Sequence, residues 1–502
     1  MASHPTVAED ARLPILRTCL LLAALSLAGL LVAGYHPAAE DGGIYMAAIE
    51  HNLTPSLFHA DSSFLTVKLQ ATEYDKCIAG IVRATHIPLE PLLFGLHLLT
   101  IFAFLAACYR IACSCFAQEC ARWSGVTLVA LFFTLPITAT GLYIVDQNLV
   151  PRTIASALVL FAVDFVLRRR LGWAAAFLLL TIPVHPVIAA FGISLCFFLT
   201  VPWRKPTSGL RGMALLLLPF GWLLHSIPTP AALHNAISMH HYCSLAEWTW
   251  YEWLGVIAPI GLLLWYSHLA RQERPGSVNI QRLATRTAIY STFQLAVAMA
   301  VMLPPALERL RPTEPMRYLH LHYVVSILLG GCFLGERLLQ RKPWRWAVAF
   351  IPVALGMFLA QRALYPATPH LELPGMRASN PWVQTFEWVR TNTPQDAYFA
   401  LGAEYLHEDG EDGQGFRAIA QRSALADQFK DSGMVLTSPV LAERWQREVA
   451  AQKAVRGGWQ HVTAQDLRTL KAQFGVDWAI VENPIALPCP YHNGKLAVCR
   501  ID

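Results

Sequence analysis

Two adjacent carboxylates, Glu40 and Asp41, stand in the stretch Tyr35-His-Pro-Ala-Ala-Glu-Asp-Gly-Gly-Ile-Tyr45, directly after the first apolar run of the chain. A carboxylate beside an acceptor hydroxyl can take its proton, so such a pair suits general-base catalysis of group transfer. A further acid, Asp146, lies in Val145-Asp-Gln-Asn148, and Arg152 follows about one turn later. Guanidinium groups match phosphate oxygens, which makes Arg152, Arg309 and Arg317 candidates for holding a phosphate leaving group. Tyr45, His185 and His320 are the remaining candidate substrate contacts.

Each of these residues has a plainer structural reading. Glu40-Asp41 suits a solvated turn with Gly42-Gly43 as a flexible connector, and Asp146 suits a helix cap. Arg317 suits an ion pair with Glu308 or Glu314, and His185, between two prolines, reads first as a helix-end packing residue. Metal readings are weaker still. His240-His241 and His320-x-His322 do not share a helix face, and no acidic partner has ligand spacing, so no residue is assigned to a metal. The acidic run Glu404 to Asp412 lacks calcium-loop spacing and reads as a solvated loop. Arg417 and Arg422, with Asp427, read as structural residues of the tail, and Asn52-Leu-Thr54 is a glycosylation sequon of the kind common by chance.

Positioning such residues falls to a very apolar chain. Of its 502 residues 55% are hydrophobic and 15% charged, and the mean hydropathy is +0.39. This excludes an ordinary soluble protein and indicates a polytopic membrane protein. The net charge of +5 is no nucleic-acid signal, because the basic residues sit in short clusters between apolar runs. The run Leu13 to Gly34 carries Arg17 near its start and no clear small-residue cleavage site, so it reads as a retained span.

Apolar runs recur at 13–34, 89–111, 125–145, 149–167, 171–184, 187–202, 212–228, 252–268, 287–306, 319–335 and 346–362. Arg168-Arg169-Arg170, Arg204-Lys205, the Arg271–Arg286 segment and Arg337–Arg345 fall on alternate connections, which places them in the cytoplasm. The acidic connections then face outward, and the chain has about eleven spans with its carboxyl end outside. The segment Leu171 to Pro202 is expected to form a hairpin turning at Pro183-Val-His-Pro186, with arms of roughly 18–24 Å against a hydrocarbon core of about 30 Å.

The expected fold is therefore mainly α: a transmembrane helical bundle over 1–363, with a long first outer loop at 35–88, and a small extracytoplasmic α/β domain over 364–502. The amphipathic stretch Ile44 to Arg83 is expected to lie partly along the interface as helices. In the tail, helices are expected at Trp382–Asn392, Pro439–Ala451 and Asp466–Phe474, and strands at Ala397–Leu401, Asp477–Val481 and Leu496–Ile501. Among eleven cysteines, Cys489 and Cys499 form the one plausible disulfide.

The pattern resembles the GT-C superfamily of membrane glycosyltransferases, and more narrowly uncharacterised bacterial GT-C-like membrane proteins. The matching segments are Glu-Asp-Gly-Gly-Ile-Tyr at 40–45, Gln147-Asn-Leu-Val-Pro-Arg152, the His185-Pro186 turn and Pro315-Met-Arg-Tyr-Leu-His320. In the tail they are Phe416-Arg-Ala-Ile-Ala-Gln-Arg422 and Gly475-Val-Asp-Trp-Ala-Ile-Val-Glu482.

The resemblance implies that Asp41 is the general base or orients the nucleophile, with Glu40 and Asp146 as supporting acids or ligands of a divalent cation. It implies sugar transfer from a polyprenyl-phosphate donor to a glycan, lipid or protein acceptor at the outer face of a bacterial inner membrane, among membrane lipids and with no nucleic acid. A divalent cation, Mg or Mn, is the cofactor left open, although no D-x-D signature is present. Two other functions fit the same chain: a catalytically inactive lipid- or glycan-binding scaffold for envelope assembly, and a transporter or flippase. Sparse intramembrane charge and the lack of an internal repeat speak against the last.

Overall fold

The structure, a computed structural model, describes residues 7–201, 228–273, 278–407, 410–482 and 485–502. The run expected at 212–228 and the Arg204-Lys205 pair lie outside the described residues, apart from Pro228, as does part of the Glu404 to Asp412 run.

Among the described residues, five helices are long and apolar enough by length and composition to cross a bilayer: Pro14–Ala33, Leu89–Cys115, Trp250–Arg271, Pro315–Leu339 and Pro343–Leu364. Leu171–Val184 and Pro186–Thr200 are shorter apolar helices, and Glu119–Leu131, Pro151–Leu167 and Val278–Met302 complete the described bundle. The expected count of about eleven spans thus exceeds what length and apolarity alone select.

The connections sort to two ends of the bundle. At one end Asn279 Nδ2 donates to Ser114 O at 2.8 Å, and Arg17 lies 3.8 Å from Glu119. Buried Asp164 there holds Arg110 and Arg168, each at 2.7 Å. At the other end His370 meets Leu31 O at 2.9 Å and His320 meets Ile144 O at 3.0 Å. The basic clusters Arg168-Arg169-Arg170 and Arg337–Arg345 belong to the first end.

The segment 171–200 is a hairpin. Glu73 N, from the first outer loop, donates to Pro183 O at 2.9 Å, while Arg282, near the start of Val278–Met302, donates to Leu199 O at 2.8 Å. The two arms therefore start and finish at the end that carries the basic clusters. His185 caps the second arm, its ring accepting from Ile188 N at 3.3 Å.

The run 125–145 departs from expectation: its helix stops at Leu131. Residues 132–150 fold back without α-helix, with one 3-10 turn at Thr138–Thr140, pairing Ile137 N with Leu142 O at 2.8 Å and Val145 N with Phe133 O at 2.8 Å. Pro136 and the threonines at 134, 138 and 140 disfavour a helix there. Irregular backbone persists at such depth only when buried in protein, and Ile137, Thr140, Leu142 and Ile144 are all buried.

Beyond the bundle, the tail forms a five-stranded mixed sheet of order β2-β1-β3-β5-β4, with β1 Tyr398–Ala400, β2 Ser423–Ala424, β3 Trp478–Val481, β4 Tyr491–His492 and β5 Ala497–Arg500. β1 runs parallel to β2 and β3; β5 runs antiparallel to β3 and β4. Cys489 and Cys499 are disulfide-bonded. Flanking helices begin at predictable caps: Asn380 Oδ1 accepts from Trp382 N at 2.7 Å, and Thr463 with Asp466 forms a capping box before Ala464–Phe474.

The first outer loop folds as Asp41–Leu53, Ser62–Ala71 and Tyr74–Thr85. Tyr45, Met46, Ile49 and Phe58 share one apolar cluster with Trp382, Phe386, Phe399 and Phe416 of the tail, so the tail covers the Asp41–Leu53 helix. Gly42 and Gly43 are accordingly no flexible connector. A Cβ on Gly42 would meet Pro37 O at 2.4 Å and Asn148 Nδ2 at 2.6 Å; one on Gly43 would meet Ala38 O at 2.7 Å.

Candidate functional site

Asp41 is the first residue of its helix, and Glu40 before it takes φ 52°, ψ −130°. That left-handed conformation strains a residue with a Cβ by roughly 1–3 kcal/mol and must be held from outside. Glu40 N donates to Gly413 O at 3.3 Å and Gly415 N donates to Ala38 O at 2.8 Å, so a tail segment clamps the turn. From the other side, Asn148 Nδ2 donates to His36 O and to Ala39 O, each at 3.2 Å.

The turn delivers Asp41 to Arg152, which sits in the first turn of Pro151–Leu167. Arg152 Nη1 donates to Asp41 Oδ2 at 2.6 Å. Its Nε and Nη2 donate to the two oxygens of Asp146 at 2.8 Å and 2.5 Å, a bidentate fork. Thr153 Oγ1 adds a bond to Asp146 Oδ2 at 3.1 Å. Asp146 is thus buried and fully engaged with the helix behind it, whereas the Asp41 side chain keeps 33% of its surface exposed. The more accessible of the two carboxylates is Asp41.

A second cation arrives from the tail. Lys430 Nζ lies 3.0 Å from Asp41 Oδ1 and 2.5 Å from Glu40 Oε2. Burial opposes the charge on this lysine, but the two carboxylates outweigh it and hold the ammonium above the ordinary lysine range. Lys430 opens the Lys430–Thr437 helix, whose start is fixed by Asp427: its Oδ1 accepts from Lys430 N at 2.6 Å and Phe429 N at 2.9 Å. Arg417 ties this helix to the first outer loop. Its Nε donates to Asp61 at 2.5 Å and its Nη1 and Nη2 to Asp431 at 2.9 Å and 2.8 Å. Phe416–Arg422 therefore earns its place as scaffold, and Asp427 faces Lys430 rather than solvent.

His240 also borders the cluster, its Nε2 lying 3.0 Å from Ser432 Oγ. Burial, then the neighbouring Lys430, pushes it down to about 4, so it stays neutral near pH 7. The other sequence-stated residues divide. Tyr45 is buried edge-on to Tyr74, with centroids 5.6 Å apart. His320 is buried between Ser156 Oγ at 3.4 Å and Ile144 O, bracing the loop that carries Asp146. Arg317 pairs with Glu314 at 2.7 Å and lies over the Tyr242 ring. His185 remains at its helix end.

Asp41, Glu40, Asp146 and Arg152 are brought together. Lys430, His240 and Asn148 are the partners that sequence reasoning missed. Among the described residues no group of three or more His, Cys, Asp or Glu converges as a metal site, and the oxygens of Asp41 and Asp146 face Arg152 and Lys430. As arranged, the cluster presents cations where a metal would have to bind.

No sequence-family profile matches the chain, and no curated protein matches it. Among solved structures it is similar to the Archaeoglobus fulgidus oligosaccharyltransferase in the apo form, at 12% identity, with 92% of this chain and 69% of that chain covered and a TM-score of 0.48. The same oligosaccharyltransferase tethered with an acceptor peptide containing the NVT sequon has 12% identity, the same coverage and a TM-score of 0.41. The archaeal oligosaccharyltransferase AglB from Archaeoglobus fulgidus, in complex with an inhibitory peptide and a dolichol-phosphate, matches at 12% identity, the same coverage and 0.41. Likenesses this loose transfer no role to any residue of this chain.

Proposed function

We propose that the chain is a membrane glycosyltransferase of the GT-C type, moving a sugar from a polyprenyl-phosphate carrier to an acceptor hydroxyl or amide at the outer face. The observation that carries this reading is the half-open Asp41 carboxylate held between Arg152 and Lys430, at the level where the spans end and the tail begins. An amphiphilic donor reaches that level with its chain in the bilayer and its phosphate among cations.

In this mechanism Arg152 and Lys430 shift toward the carrier phosphate, which loosens their hold on Asp41. Asp41 takes the proton of the acceptor nucleophile. The nucleophile forms the new bond to the anomeric carbon while the bond to the phosphate oxygen breaks, and its electron pair leaves with the phosphate. The two cations stabilise that developing charge. Asp146 keeps Arg152 oriented, and Glu40 does the same for Lys430. No step passes through a metal.

A second reading draws on the same geometry. Both oxygens of Asp41 are already held by cations, which weakens it as a base, and a silent lipid- or glycan-binding scaffold would look like this. Turnover decides. Purified protein is offered a panel of polyprenyl-phosphate sugars, wild type beside Asp41→Asn. Transfer by wild type with a loss of about 10²–10⁴-fold in the variant is expected. If wild type binds the donors and transfers from none of them, the enzyme reading is wrong and the scaffold stands.

A further inference from the structure

The start of the Lys430–Thr437 helix rests on two interlocked carboxyl groups. Asp427 Oδ1 accepts from Phe429 N at 2.9 Å, Lys430 N at 2.6 Å and Asp431 N at 3.4 Å. In return Asp431 Oδ2 accepts from Asp427 N at 2.9 Å. The two residues are only 4% and 2% exposed, and their carboxyl groups are hydrogen-bond neighbours. Lys430, whose ammonium holds Glu40 and Asp41, stands between them in the chain.

Charge at this joint does not balance. Arg417 answers the pair, and it is shared: two of its nitrogens fork Asp431 at 2.9 Å and 2.8 Å, while Nε goes to fully buried Asp61 at 2.5 Å. The ammonium of Lys430 is committed to Glu40 and Asp41. Three buried carboxyls therefore face one guanidinium, and among the described residues Asp427 is the one of the three without an ion pair.

Nothing else packed against Asp427 supplies the missing charge. Glu40, Tyr405, Arg417, Lys430 and Asp431 line the small cavity beside it. Glu448 approaches through Ala426 N and is itself answered by Arg444 at 2.6 Å. The rings of His407, against Phe429, and His240, beside Ser432, are both driven toward the neutral form by burial. Two carboxyls this close and this dry do not both ionise in the ordinary carboxylate range. Burial and then Asp431 push Asp427 up to about 7, against the pull of Arg417.

We propose that Asp427 and Asp431 hold one proton between them, and that this proton makes Asp427 a positioning residue for Lys430. With the proton in place the cap is closed and Lys430 is aimed at Asp41 and Glu40. Its loss sets two carboxylates against each other at the helix start, and the first turn loosens together with its lysine. The proton belongs to the pair rather than to either residue. The consequence for sugar transfer rests on the glycosyltransferase reading; the loosening does not.

The direction follows from linkage. An aspartate in an opened turn titrates near about 3.9, while the closed turn keeps its proton up to about 7. Closure is therefore firmest at low pH, weakens as pH rises between these values, and levels off above about 7.

Hydrogen exchange of residues 427–437 in the purified full chain tests this, read by mass spectrometry from pH 5 to 8 and corrected for the intrinsic exchange rate. Relative to the Ala464–Phe474 helix, protection should fall by up to about tenfold per pH unit as far as about pH 7, then level off. Asp427→Asn keeps the cap oxygen and places an N–H where the shared proton stood, so its protection should stay flat. Asp431→Asn cannot form the doubly charged pair either, and should be flat as well. Turnover of a polyprenyl-phosphate sugar should decline over the same range in wild type and not in Asp427→Asn.

A flat wild-type profile, or a fall that survives both substitutions, overturns the proposal. Transfer that ignores pH while protection falls overturns the positioning role. A fall abolished by both substitutions supports the shared proton even where wild type transfers no sugar, a result that sinks only the glycosyltransferase reading. Transfer by wild type with flat protection sinks only the shared proton.

Discussion

Lys430 Nζ lies 3.0 Å from Asp41 Oδ1 although 389 residues separate the two along the chain. This contact joins the tail to the loop after the first span, and the site is incomplete without it. Asp41 alone is a carboxylate just after the first apolar helix; in the structure Lys430 and Arg152 each hold one of its oxygens.

Removal of that ammonium should be felt in catalysis more than in folding. Lys430→Met is expected to lower donor turnover by about 10²-fold, the ordinary cost of losing one positioned electrostatic donor. Lys430→Arg should recover part of the loss. Turnover of a lipid-linked sugar by the three proteins, with the unfolding midpoint measured alongside, gives the comparison; equal rates would remove Lys430 from the mechanism.

Arg152 carries a structural duty as well. Its fork on Asp146 is nearly buried, with side-chain exposures of 13% and 7%. Arg152→Met strands the Asp146 charge, and breaking such a pair costs about 3–5 kcal/mol. The double variant Arg152→Met with Asp146→Leu should regain most of that stability and none of the activity. Chemical unfolding in detergent would detect the rescue, and a double variant no more stable than Arg152→Met would refute it.

The helix behind Asp41 contains a pH-sensitive acid. Burial raises the Glu50 carboxyl to about 8, against the Gln421 amide that favours its charge. An unperturbed glutamate titrates near about 4.3, so between these values the unfolded chain releases a proton that the folded chain keeps. Stability therefore falls as pH rises through this window and levels off above about 8. Glu50→Gln should flatten the profile and be the more stable protein at pH 8. Midpoints measured from pH 5 to 9 would settle it, and parallel profiles for the two proteins would count against the buried acid.

Chelation addresses the divalent cation that the family resemblance left open. Arg152 and Lys430 already occupy the oxygens of Asp41 and Asp146, so EDTA should leave donor turnover within about twofold. Loss of turnover with EDTA, restored by Mg or Mn, would show that a metal displaces one of these cations.

Much of this was legible locally. Apolar runs marked the helices, basic clusters gathered at one end of the bundle, and Asp41, Asp146 and Arg152 stood out as charges beside the apolar runs. Tail helices such as Pro381–Asn392 and Ala464–Phe474 followed from caps and periodicity. The run 125–145 misled, because hydropathy records burial and not backbone shape. Strands of two residues, β2 and β4, leave no periodicity to read.

The chain's own order determined its membrane character and which carboxylates follow its apolar helices, because each depends on neighbours within about 20 residues. Only the tertiary structure decided that Lys430 meets Asp41, that Gly42 and Gly43 permit close packing, and that residues 413–415 clamp the Glu40 turn. Those pairings are non-local. They depend on how the tail closes over the first loop, and no local pattern of charge or hydropathy encodes a contact across hundreds of residues.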